Sequence, residues 1–244
     1  MRVRHQIGVL SRVASSFLIP DNHIGRATVS SIAVAHEVAL MGGRSIACLN
    51  ARDRNMLGFR RDLLTAAAYG VDEFLFVYGD RPETGSRSDD LTVRSMLTEA
   101  RRFAGSERGL ENLRVGVTSR LATLPSWKRD ADFLFVQVTW SVPALLDWRS
   151  HLDFDGPVFA GVMVPTSATM ARKLSAHIPE LAVPDDLVEA LDSDPDAGVD
   201  FACQMVNDIQ ESGVFDGVHL IPVSRYRQIA ARLEYNEGRP FVAP

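Results

Sequence analysis

Glu73-Phe74-Leu75-Phe76-Val77-Tyr78-Gly79-Asp80-Arg81-Pro82 is the stretch on which the fold is read. Its apolar residues run on without polar alternation and stop at a glycine and a carboxylate. Such a run predicts a parallel strand covered on both faces. The signature recurs at 7–13, 45–50, 114–119, 133–139, 158–164 and 217–223, beside 73–79 itself. Helical patterns lie between: 28–41 before Gly42-Gly43, 55–69 before Gly70, 92–103 before Gly105, and 168–177 before Pro179, followed by 184–191 and 198–212. Glycine just past a helix and proline beyond it are stop signals. Repeated β-α order gives a parallel sheet. The loop 15–26 after the first run lacks the glycine-rich turn of a nucleotide-binding open sheet. The expected fold is therefore α/β, a TIM-type (β/α) barrel, incomplete because seven strands are found where a closed barrel has eight. Without a linker, charge block or repeat, residues 1–244 read as a single domain.

Composition narrows the function. Apolar residues make up 46% of the chain and charged residues 23%, which suits a large core. A net charge of −5 argues against nucleic acid as the main partner, while a local basic site for a phosphorylated small molecule is compatible with it. Cys48 and Cys203 are far apart and lack metal-ligand spacing, so neither a disulfide framework nor a metal is expected, and a cytoplasmic setting fits. No stretch approaches the roughly 18 apolar residues of a membrane span. The apolar run near Met1 is too short for a signal peptide.

Barrel enzymes work at the C-terminal ends of their strands. Those ends would deliver Ser11 and Arg12, then Asp21-Asn22-His23; Asn50 and Arg52-Asp53-Arg54-Asn55; Gly79-Asp80-Arg81; Ser119 and Arg120; Gln137 and Thr139; Thr166 and Ser167; and Ser224-Arg225. Asp80 follows a glycine that lets the backbone turn, and its carboxylate suits the N–H edge of a heterocycle; it equally suits a turn cap or a pair with Arg81. Gln137 sits inside the apolar run 133–139, where a buried amide needs partners, either a ligand or the core. Arg52 and Arg54 can grip a carboxylate or phosphate, or pair locally while Asn55 caps the next helix. His36 and His219 read as structural, and no nucleophile elbow or P-loop occurs.

Taken in order, these segments resemble the methylenetetrahydrofolate reductase family over roughly residues 7–234. The resemblance rests on 50–55, on Leu63 to Pro82, on Ala131-Asp132-Phe133-Leu134-Phe135-Val136-Gln137, on Gly161-Val162-Met163-Val164-Pro165, and on Gly217-Val218-His219-Leu220-Ile221-Pro222-Val223-Ser224-Arg225. It implies an oxidoreductase of one-carbon metabolism that passes hydride from NAD(P)H, through FAD or directly, to a methylene-tetrahydrofolate. It places Asp80 in the catalytic site, cofactor contacts at Ser11, Asn50, Gly79, Asp80 and Thr92, and substrate contacts at Gln137, Asp80 and Arg225. The family's opening strand, with its Glu-Phe-Phe-Pro-Pro acid, has no counterpart here, and Cys48 stands where the family has histidine. Asp21 is the replacement acid that position suggests. An alternative is an accessory folate- or flavin-binding barrel whose seam is covered by another copy or a partner chain. A barrel acting on an unrelated small molecule is the third reading.

Overall fold

The computed structural model describes residues 2–106 and 109–237, and the statements below concern these residues. Seven parallel strands follow one another in sequence order through a single sheet, an incomplete TIM-type (β/α) barrel. The elements are α1 (Arg2–Leu10), β1 (Ser16–Ile19), α2 (Ser31–Leu40), β2 (Arg44–Asn50), α3 (Met56–Ala68), β3 (Glu73–Val77), α4 (Val93–Ala104), β4 (Arg114–Ser119), β5 (Phe133–Val136), α5 (Val142–Ser150), β6 (Val158–Met163), α6 (Ala168–His177), α7 (Asp185–Ser193), α8 (Ala197–Ser212), β7 (Gly217–Ile221) and α9 (Tyr226–Glu237). No described helix is long and apolar enough to cross a membrane.

The opening of the chain departs from the sequence reading. Residues 7–13 form the end of α1 and its closing turn, not a strand. Ile7 and Val13 are buried while Gly8, Ser11 and Arg12 are exposed, a spacing that fits a helix and not a two-sided strand. The N–H groups of Val13 and Ala14 both donate to Leu10 O, which closes the helix. The first strand lies instead inside the expected loop 15–26, and β1 runs parallel to β2 from Ser16↔Arg44 to Ile19↔Ala47. Its four residues are all half-buried, so it gives no strong apolar signal. β2 and β4 end where their apolar runs end, while β3, β5, β6 and β7 stop earlier. Gly79 lies beyond β3, Gln137 beyond β5 and Val223 beyond β7, each in the loop at a C-terminal strand end. Helices α1, α5 and α9 were absent from the sequence reading; in α5, Pro143 sits in the first turn, where it costs no helical hydrogen bond.

Two compact units divide these elements. The first comprises Met1–Ile7, Ser16–Thr118 and Leu124–Leu134. Its core is aromatic: Phe59 meets Phe76 edge-on at 5.3 Å, and Phe74 lies 6.1 Å from Phe76. α4 adds Met96, Leu97, Ala100 and Phe103 from one helical face. Its buried Glu99 is held by Arg102 and Arg60, whose hydrogen bonds lower its pKa, that from Arg102 most. The second unit comprises Gly8–Ser15, Ser119–Thr123 and Phe135–Pro244. There Ala168, Ala171, Val183, Leu187 and Leu191 form a cluster, with Trp140 and Phe201 packed against it. α8 buries Val199, Ala202, Cys203, Val206 and Ile209 at helical spacing and ends on Gly213 in the left-handed region.

Candidate functional site

In the first unit, the loops after β1, β2 and β3 are tied together by polar side chains. Asn50, the last residue of β2, is 2% exposed and spends its whole amide there. Its Nδ2 donates to Asp21 (3.1 Å) and Asp53 (2.8 Å), while Oδ1 accepts from the N–H groups of Arg52 (3.0 Å) and Asp53 (3.2 Å). A side-chain amide offers two donors and two lone pairs, so none remains for a cofactor. Asp21, 6% exposed, accepts on the same Oδ2 from the Asn50 N–H, Asn50 Nδ2 and Arg54 Nη2, the last at 2.7 Å. It is an acceptor three times over, the opposite of the proton donor expected from its position. Arg54 also donates through Nη1 to Asn50 O and lies 3.3 Å from Asp62 through Nε. Local pairing, one of its two sequence readings, is the one this structure gives Arg54. Asn55 caps α3 by accepting from Gly58 N.

Asp80 neither pairs with Arg81 nor caps its own turn. Its Oδ2 accepts the Ile24 N–H at 2.9 Å. Ile24 sits at φ 60, in the left-handed region, where a β-branched residue stores about 1–3 kcal/mol. Asp80 thus holds a strained loop in place. Beside it Glu83 N donates to Gly25 O (3.0 Å) and Arg26 pairs with Glu83 (2.8 Å). A Cβ on Gly25 would stand 2.0 Å from Arg81 O. Gly79, at φ 85, brings the backbone onto Asn50, whose Cβ would be 2.8 Å from a Cβ placed there. Of the polar cofactor positions the resemblance names, Thr92 caps α4 in a reciprocal pair with Ser95. Ser11, in the turn after α1 and not at a strand end, donates to Gly8 O. Asp80 is exposed and keeps one carboxylate oxygen without a protein partner; the other polar side chains are committed. These positions do not form a flavin cradle. Cys48 is inert: burial, then the Asp21 charge, pushes its thiol pKa far up.

The strand ends of the second unit differ. Gln137 continues from β5 with its N–H donating to Ser119 O at 2.8 Å. Its half-buried side-chain amide has no protein partner among the described residues. The satisfied-core reading of Gln137 therefore lacks its partners. Two residues back, Phe135 stacks at 5.0 Å on Phe159 and meets His219 edge-on at 5.1 Å. Desolvation lowers the His219 pKa to about 4, so its ring is neutral at pH 7. After β7, Val223 adopts φ 50. That conformation is strained for a β-branched residue, and no sequence motif announced it. Arg225 closes that turn through its N–H to Pro222 O, and among the described residues its guanidinium has only a long 3.9 Å pair with Asp196. Burial pushes Cys203 up to about 11, and no cluster of metal-ligating side chains occurs among the described residues.

Against known proteins, no family model and no curated protein sequence matches the chain. Solved structures do share its fold. An uncharacterized protein from Clostridium thermocellum that binds two copies of 5-methyl-5,6,7,8-tetrahydrofolic acid superposes with a TM-score of 0.66 and 15% identity, over 96% of this chain and 88% of that one. EDTA monooxygenase from Chelativorans sp. BNC1 superposes with a TM-score of 0.52 and 9% identity, over 99% of this chain and 87% of that one. At these identities the likeness is one of fold: the chain is similar to both in architecture.

Proposed function

We propose that this chain binds a tetrahydrofolate derivative and acts on it as a methylenetetrahydrofolate reductase-like oxidoreductase. The observation that carries the reading is the unpartnered amide of Gln137, at the C-terminal end of a barrel strand. An amide donates and accepts at once, which matches the alternating N–H and carbonyl edge of a pterin. The fold shared with a 5-methyltetrahydrofolate-binding protein supports it. Because the polar positions expected at a flavin are largely spent within the protein, the electron donor in this proposal is NAD(P)H itself. When bound, NAD(P)H would supply the hydride for the new C–H bond at the methylene carbon. The bond from that carbon to N10 breaks, and N10 takes up a proton. Arg225, in the same unit as Gln137, is the chain's candidate for the substrate's anionic part.

Two measurements test the reading. Calorimetry should show 5-methyltetrahydrofolate binding to the wild type, weakened about tenfold in Gln137→Ala, the worth of a buried hydrogen bond. NADH oxidation should depend on added 5,10-methylenetetrahydrofolate. Absence of folate binding rejects the proposal. Binding without turnover selects the second reading, an accessory folate-binding barrel, which the commitment of Asp21 as an acceptor favours.

A further inference from the structure

Of the two arginines in Arg52-Asp53-Arg54, the second is ion-paired with Asp21 and Asp62, and the first has no ion pair among the described residues. Arg52 is clamped by its backbone: its N–H donates to Asn50 Oδ1 at 3.0 Å, and its carbonyl accepts from Ser88 N at 2.6 Å. Its guanidinium lies over the Tyr78 ring at 4.7 Å, and Arg87 approaches the same ring at 5.9 Å. Its Nε is buried without a hydrogen-bond partner, and no carboxylate pairs with it among the described residues. A buried guanidinium N–H without a partner is uncommon, because burial strips its water and returns nothing.

The acids of the neighbouring segments make other contacts, and none is paired with Arg52 among the described residues. Asp80 accepts from Ile24 N, Glu83 pairs with Arg26, Asp89 with Arg87, and Asp90 accepts from Met56 N at 2.6 Å. Arg52 and Arg81 remain as cations without ion pairs among the described residues. A guanidinium laid flat on an aromatic ring keeps its N–H edge free for a planar or tetrahedral oxyanion.

We propose that Arg52, stacked on Tyr78, anchors an oxyanion subsite that takes the carboxylate or phosphate end of a small-molecule ligand. This deepens the folate and nicotinamide reading and rests on it for the identity of the ligand. The shared chemistry has two sources there, the glutamate carboxylates of a folate and the phosphates of a nicotinamide dinucleotide.

The test is calorimetry on the full chain with four probes: 5-methyltetrahydrofolate, tetrahydropterin (which has no glutamate), NADH, and inorganic pyrophosphate. Arg52→Gln should weaken one anionic probe about 10- to 100-fold, the range for losing a charge-assisted pair. Arg52→Lys should recover part of that loss, because it restores charge without the fork. Loss for 5-methyltetrahydrofolate with tetrahydropterin unchanged assigns the carboxylate; loss for NADH and pyrophosphate assigns the phosphate. Unchanged binding of every probe that the wild type binds overturns the subsite, as does failure of the wild type to bind any. If Gln137→Ala leaves folate affinity intact while Arg52→Gln lowers that of NADH, the folate reading fails and the subsite stands. Circular dichroism of each variant confirms that the comparison is between folded proteins.

Discussion

After β2, the side chain of Asn50 makes four hydrogen bonds; after β5, Gln137 carries the same amide on one more methylene and makes none to protein among the described residues. The first amide is framework. It fixes the loops that carry Asp21, Asp53 and Arg54, and loses no affinity for any ligand because it has none to offer. The second is held by its backbone alone, with its polar head unspent. Residue type and position at a strand end are the same in both, so what separates scaffold from recognition is whether the lone pairs and protons are already used. The same rule separates Arg54 from Arg52 within three residues.

The hardest way to break this comparison is to open the closed network. Arg54→Ala leaves the Asp21 carboxylate buried with its guanidinium partner gone. Removing one member of a buried pair costs about 3–5 kcal/mol, and urea unfolding should show a loss of that order. A loss below about 1 kcal/mol would mean that Asp21 and Asn50 do not depend on it. Next comes Gly79→Ala, which puts a Cβ at φ 85 against Asn50. Strain at such a position runs to about 1–3 kcal/mol. Asn50→Gly is costly by itself because it removes four hydrogen bonds. In that background, however, Gly79→Ala should cost less than in the wild type, because the clash is with that side chain; additive effects would place the strain in φ alone.

His219 sharpens the comparison from the other side. Burial holds its folded pKa down at about 4 against a free value of 6.5. Between those two values the unfolded chain binds a proton that the folded chain does not. Stability is therefore complete above about pH 6.5 and falls as pH drops towards 4. The loss attributable to this ring is on the order of 1–3 kcal/mol, towards the lower end because the residue is only half-buried. His219→Phe, which keeps the edge contact with Phe135, should flatten that part of the pH–stability curve. An unchanged slope would assign it to the carboxylates.

How much of this was readable in the sequence depends on whether the signal was local. The apolar runs of β2 to β7 and the Asn55 cap were legible because a strand's burial and a helix's first turn are written in adjacent residues. β1 was not, since Ser16-Phe17-Leu18-Ile19 is four half-buried residues beside a longer apolar segment that forms α1. The split between Arg52 and Arg54 was undecidable as well. It depends on Asp21, 33 positions from Arg54, and on Tyr78, which lies 26 positions from Arg52 and 57 from Asp21. Asp80 was legible as a strand-end carboxylate, but its hold on Ile24 required knowing that residue 24 turns left-handed. A spent amide and an unspent one are the same letter, so the distinction between Asn50 and Gln137 belongs to the fold.

The smallest expected change in stability is the most telling. Gln137→Ala removes an amide with no protein partner from a half-buried site, so unfolding free energy should move by no more than about 0.5 kcal/mol. Folate affinity should still fall about tenfold. Gln137→Glu separates the two halves of the amide: it keeps acceptors, removes both donors and adds charge, so it should bind a pterin edge less well than alanine does if donation matters. A variant that loses more than about 1 kcal/mol of stability while keeping its affinity would mark Gln137 as a framework residue after all. The contrast with Asn50 would then vanish, because both amides would be serving the fold.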